Sequence, residues 1–323
     1  MGPPDTDALE DDPFGEAIDR AETLQREYAE QLGLRSDRIP FTAETVPDAS
    51  VAVRVNDGLL EEVATHILNR AGHVSIIDER GAGKSHFRDL VYRSLSSGPR
   101  SDEFRIVRIR EVESITTRRF YTRLLDGLQR YDDLADVIPE EYPHPTDEVR
   151  ALVEEVATVL EDEGKACIVQ VDQLEDAARN TRTFRQLLAG LQSIGDLGEG
   201  EPVFICFLFG TPDVSERITQ LRETFASRLI AADRRLTRFD VAETAELVAR
   251  WLAWARGESY TEGYATDPYA GGALSAITNR SDGTPRRVRQ ECYHAFRAGA
   301  RQYDETAQVE ITRETLENYL QEA

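Results

Sequence analysis

Lysine is almost missing from this chain. Of 38 basic residues only Lys84 and Lys165 are lysines, and the other 36 are arginine. The deficit argues against a hyperthermophilic protein, where lysine is enriched. It also makes each retained lysine informative, because a compact ammonium on a flexible stem does work that a planar guanidinium does not. Cysteine is scarce too. Cys167, Cys206 and Cys292 lie far apart, the first two in apolar runs, which excludes a disulfide framework or a zinc site and leaves small buried hydrophobes. The five histidines lack metal-ligand spacing. There is no apolar run near 18 residues and no secretory leader, so a cytoplasmic, soluble protein without a membrane partner is expected. No internal repeat is visible.

What the chain has in excess is acid. Asp and Glu number 60, and the net charge is −22. The surplus is spread along the whole length, so it reads as an adaptation to solvent rather than as a partner signal. Such self-repulsion is tolerable where salt screens it, which points to a cytoplasm of high ionic strength, as in salt-loving archaea. In that setting an acidic chain is not barred from working near nucleic acid.

Residues Asp78 to Ser85 read D-E-R-G-A-G-K-S. They follow an apolar strand, His73–Ile77, and open a helix whose spacing is set by Phe87, Leu90 and Val91. This is the phosphate-loop pattern G-x-x-x-x-G-K-[ST] with Asp78 in place of its first glycine. Gly81 and Gly83 let the backbone turn its N–H groups toward an anion, which a helix N-terminus also favours. Glu79, Arg80, Gly81, Ala82, Gly83, Lys84, Ser85 and His86 are the candidate nucleotide contacts. Lys84 would reach the β- and γ-phosphates of ATP, and Ser85 would ligate Mg²⁺.

Around this loop, strands alternate with helices: helix 57–71, strand 104–109, helices 116–128 and 146–163, strand 166–171, helix 183–194 and strand 202–209. That alternation predicts an α/β fold with a parallel sheet sandwiched by helices. After Arg238 only helical patterns remain, over 242–256, 269–279, 285–302 and 312–322, which predicts an all-helical lid domain. The expected organisation is a tail, helix and connector over 1–48, a P-loop core over 49–235 and the lid over 236–323. Residues 1–12 read as disordered and 35–50 as extended.

A second motif is Ile168-Val-Gln-Val-Asp172, an apolar strand ending in a carboxylate. After a phosphate loop, such an Asp holds Mg²⁺, here together with Ser85. Many ATPases place Glu next, to polarise the attacking water. Here the residue is Gln173, which orients water but accepts no proton. Glu175 or Asp176 could take the role, or hydrolysis is slow and ATP acts as a long-lived ligand.

Four features now occur in order: the phosphate loop, Asp172, an apolar strand ending in Gly210-Thr-Pro-Asp213, and Gly283-Thr-Pro-Arg-Arg287 opening a late helix. This order resembles the AAA+ ATPases, and within them the branch of origin-recognition replication initiators and transposition helpers, over roughly residues 50–323. The resemblance implies that Thr211 senses the γ-phosphate, with Asp213 as a neighbouring candidate. It implies that Arg228 or Arg222 in the segment before the lid is an arginine finger offered to another subunit. It makes Arg286 a lid arginine on the γ-phosphate, with Arg287 beside it. Initiators of this branch carry a winged-helix domain after the lid. No helix-turn-helix follows here, so a helper ATPase targeted by a partner is expected, with indirect association with DNA. Catalysis is thus expected of Lys84, Glu175, Thr211, Arg228 and Arg286, in a homo-oligomer or with a partner protein. Two other readings compete. Val171-Asp-Gln-Leu-Glu175 also resembles the acidic motif of signalling NTPases of the STAND type, and Gln173 is compatible with a nucleotide-binding scaffold that does not hydrolyse.

Overall fold

The computed structural model describes residues 12–42 and 49–319. The expected tail over 1–12 lies outside them except for Asp12. That residue caps helix α1 (Pro13–Gln31) through a bond from Gly15 N to Asp12 Oδ1 at 2.9 Å. Residues 43–48 of the expected extended stretch over 35–50 also lie outside. The chain forms two compact units, residues 56–237, and residues up to Val55 together with those from Arg238.

The first unit holds helix α2 (Asp57–Leu68), strand β1 (His73–Ile77), α3 (Lys84–Ser97), β2 (Phe104–Ile109), α4 (Thr117–Leu128), α5 (Thr146–Asp162) and β3 (Ala166–Val171). Then come α6 (Leu174–Ala178), α7 (Thr181–Gly195), β4 (Phe204–Gly210), α8 (Pro212–Leu221), α9 (Glu223–Ala226) and β5 (Leu229–Arg234). The five strands make one sheet in the order β2-β3-β4-β1-β5, and every pairing is parallel. β1, β3 and β4 are buried along their whole length, as parallel strands covered on both faces require. Successive side chains alternate between two cores. Ile106, Ile168, Phe207 and Phe209 join Val63 and Ile67 of α2 and Phe87 and Val91 of α3. Val107, Val169, Val171 and Leu208 join Phe120 and Leu124 of α4, Val153 and Val156 of α5 and Leu187 and Leu191 of α7. Burying each large apolar side chain contributes about 1.5–3 kcal/mol. The expected strands at 104–109 and 166–171 match residue for residue. β5 and the short helices α6, α8 and α9 were not foreseen.

Register decides what the sheet brings together. Ile77 pairs with Gly210, and Val171 pairs with Leu208. The loop after β1, the turn after β3 and Thr211 after β4 therefore leave the same, carboxyl edge of three neighbouring strands. Leu229 pairs with His73, so Arg228 lies at the opposite edge. His73 there is buried, and burial, with the nearby Arg228 charge, pushes its imidazole down to about 4. It is neutral at ordinary pH, and its Nδ1 accepts a bond from Cys206 N at 3.3 Å.

The second unit is all-helical: α1, α10 (Val241–Arg256), α11 (Gly271–Ser281), α12 (Pro285–Thr306) and α13 (Arg313–Tyr319). Asp240 and Glu243 form a reciprocal cap at the start of α10. The N-terminal segment, expected to stand apart, is part of this unit. Phe41 packs against Trp251 with ring centroids 5.5 Å apart. Tyr28 OH donates to Val309 O at 2.6 Å, and Arg250 Nη1 donates to Ser50 O at 2.9 Å. The reason is burial: Tyr28 and Phe41 are among the largest fully buried side chains in the protein. Leu236 and Thr237, expected in the lid, are held in the first unit instead, by bonds from Leu236 N to Asp78 Oδ2 and from Thr237 N to Asn56 Oδ1. Among the described residues no helix is long and apolar enough to cross a membrane.

Candidate nucleotide-binding site

The loop between β1 and α3 has the shape of an anion cradle. Gly81 and Gly83 have φ of 87° and 104°, a region closed to most side chains. Gly83 is the N-cap of α3 and offers no side-chain oxygen to the first-turn N–H groups. A helix start left uncapped in this way favours an anion. Lys84 is folded over its own loop, donating to Asp78 O and, at 2.7 Å, to Glu79 O. Both carbonyls are positions from which a phosphate could draw the ammonium. Ser85 and His86 are exposed on the first turn of α3, and Glu79 and Arg80 are exposed on the loop.

Asp78, in the place of the first glycine, is buried and employed. Its Oδ1 accepts from Glu79 N at 2.7 Å and its Oδ2 from Leu236 N at 2.9 Å. Leu236 also stands over Gly83: a Cβ built there would lie 3.7 Å from the leucine Cδ1. The loop is thus tied to the segment that follows β5.

Asp172 does not have the environment read from the sequence. Its Oδ2 is paired with Arg88 Nη1, and its Oδ1 accepts from Gln173 N at 2.9 Å. Arg88 is one turn beyond Lys84 on α3. A divalent cation at this carboxylate would have to displace a guanidinium. The expected pair of metal ligands, Ser85 and Asp172, is therefore not an open site. With Asp172 paired to Arg88, Ser85 is the remaining protein ligand of the expected pair, and Mg²⁺ there would draw its other oxygens from phosphate and water. Among the described residues no group of three His, Cys, Asp or Glu side chains is placed to hold a metal. The sequence signal for Arg88 was its i+4 spacing from Lys84, obscured by the abundance of arginine.

Gln173 is exposed in the left-handed region, φ 54°, and turns the chain into α6. That turn carries Glu175 inward. Its Oε1 is 3.9 Å from Arg80 Nε, and its Oε2 is buried with no hydrogen-bond partner among the described residues. Burial pushes the carboxyl above its usual range, against the pull of the nearby Lys84 and Arg80 charges. Thr211 stands at the N-cap position of α8 without a side-chain capping bond, and its Oγ1 donates to Asp213 Oδ1 at 2.5 Å.

Arg228, at the far edge of the sheet from this loop, is paired with Asp196. Arg222 contacts Gln192 Oε1 at 3.4 Å. In the helical unit, Gly283 has φ 60°, and its carbonyl accepts from Phe239 N at 2.8 Å. A Cβ there would stand 2.2 Å from Phe239 O, so glycine is needed at this turn. Pro285 then starts α12, which leaves Arg286 and Arg287 exposed on its first turn.

A parallel sheet between helices, a glycine loop entering a helix and a separate helical unit make up an α/β fold of the P-loop type. Solved archaeal structures share this fold. The chain superposes on Cdc6p from Pyrobaculum aerophilum with TM-score 0.52 at 15% identity, covering 87% of this chain and 70% of that one. It superposes on the ADP form of the ORC2 protein of Aeropyrum pernix with TM-score 0.54 at 13% identity, covering 87% and 71%. At such identities the likeness is one of fold. No family model and no curated protein matches the sequence.

Proposed function

We propose that the protein binds ATP at the Gly81–Ser85 loop and acts as a nucleotide-dependent assembly or remodelling switch with slow hydrolysis. The observation that carries this reading is the uncapped start of α3 with Lys84 folded over the loop, beside the ends of β3 and β4. The phosphates would take the N–H groups of the glycine loop, and Lys84 would exchange the carbonyls of Asp78 and Glu79 for phosphate oxygens. Thr211 would contact the γ-phosphate from the end of β4. Glu175 is the base: a partly buried carboxylate with an unpartnered oxygen near Lys84 holds a water proton better than Gln173 does. Arg228 lies at the opposite edge of the sheet, so any action as a finger is on a nucleotide held by another copy or a partner. Arg286, exposed on α12, is the candidate for reading nucleotide state from the helical unit. The order of motifs, which resembles that of origin-recognition initiators, favours DNA-associated partners.

A non-hydrolysing scaffold is the second reading, and Gln173 with the neutralised Asp172 favours it. Lys84→Ala is expected to weaken binding of a fluorescent ATP analogue by at least about tenfold. Unchanged affinity would remove the loop from the site.

A further inference from the structure

The polar cluster on α3 and β2 is balanced in charge without a metal ion. Arg88 spans two carboxylates, Asp172 and Asp89, the latter at 2.9 Å. Asp89 is also paired with Arg108 Nη2 at 2.8 Å. Arg108 donates through Nε to Gln170 Oε1 at 3.2 Å, and Gln170 Nε2 donates to Arg88 O at 3.1 Å. The Arg108 guanidinium lies 3.7 Å from the centre of the Tyr92 ring, which fixes its plane. Two cations therefore face two anions, and both arginines are held from more than one side.

We propose that Arg88 supplies, against Asp172, the positive charge that a divalent cation would otherwise supply, so that this site takes nucleotide independently of metal. The proposal rests on the ATP-binding reading above. Three physical points carry it. Both oxygens of Asp172 are already engaged, by Arg88 and by Gln173 N. The pair is shielded, with Arg88 14% and Asp172 18% exposed at the side chain, so its attraction is less screened than that of a surface pair. A guanidinium also keeps its charge at every accessible pH, so no proton loss vacates the position.

The test is a titration of the full chain with a fluorescent ATP analogue, in excess EDTA and in excess Mg²⁺. The wild-type dissociation constants are expected to agree within about threefold. Arg88→Met removes the resident charge and is expected to acquire a preference for Mg²⁺ of at least about tenfold, whereas Arg88→Lys is expected to bind alike in both buffers. Should the Met variant fail to fold, Arg88→Gln is read in the same way. A wild-type protein that binds at least about tenfold tighter with Mg²⁺ overturns the proposal. So does an Arg88→Met variant as indifferent to metal as the wild type, because Arg88 would then not be the cause. No binding in either buffer overturns the ATP reading itself, and this inference with it.

Discussion

Glu175 owes its character to a left-handed residue two positions earlier. Gln173 turns the chain at φ 54°, and the next residues carry a carboxyl oxygen into a place closed to solvent and to any described partner. Burial is the first cause of its raised proton affinity, with Lys84 and Arg80 opposing it. A base of this kind works only when deprotonated. The rate should therefore rise with pH through a region above the ordinary 4.5 of a glutamate. Glu175→Gln should lower turnover by about 10²–10⁴ and leave ATP affinity unchanged. An unaltered turnover, or a pH profile that keeps its acidic limb in the variant, would assign the base elsewhere. The sequence offered Glu175 as the substitute base, with Asp176 as the other candidate. Lys84, by contrast, was legible at once, because the loop motif is local and only two lysines compete for attention. Arg88 was hidden because its i+4 spacing from Lys84 says nothing of a partner 84 positions away.

At the scale of elements, the phosphate loop and the segment after β5 share one carboxylate. Asp78 is buried, and its backbone needs no glycine, since it is not among the residues at positive φ. Its side chain instead satisfies Leu236 N and Glu79 N. Asp78→Gly restores the usual loop pattern, yet it leaves a buried backbone N–H without this acceptor. We expect it to lower stability by about 1–3 kcal/mol, read as a drop in the urea midpoint with unchanged slope. Equal or greater stability would show that the aspartate is dispensable. β3 and β4 were readable as strands because apolar residues run unbroken or nearly so through them, and β2 because its apolar residues are interrupted by single arginines. β5 was not. It is an edge strand of sequence L-I-A-A-D-R, paired to β1 with two shifts in register, and neither its composition nor its spacing marks it.

Over the whole molecule, the acid surplus is the dominant electrostatic fact. With a net charge of −22, compaction is opposed by repulsion that added salt screens over about 10 Å at 0.1 M. The melting temperature is expected to climb between low and molar KCl. A flat or falling curve would mean that local pairs such as Arg105–Asp133 and Lys165–Asp133 already offset the surplus. The alternation of strands and helices made the architecture of the first unit legible. The composition of the second unit was not, because its aromatic core joins Tyr28 and Phe41 to Trp251, Tyr269 and Phe296 across most of the sequence.

That arrangement gives the chain an order of assembly. The sheet-bearing unit is contiguous, residues 56–237, whereas the helical unit is written in two pieces on either side of it. As the chain emerges from the ribosome, the sheet can close while Tyr28 and Phe41 still lack their partners on α10 and α12. The helical unit is completed last, by closing a loop that already contains a folded body. Such a loop costs less conformational entropy than an open chain of the same length.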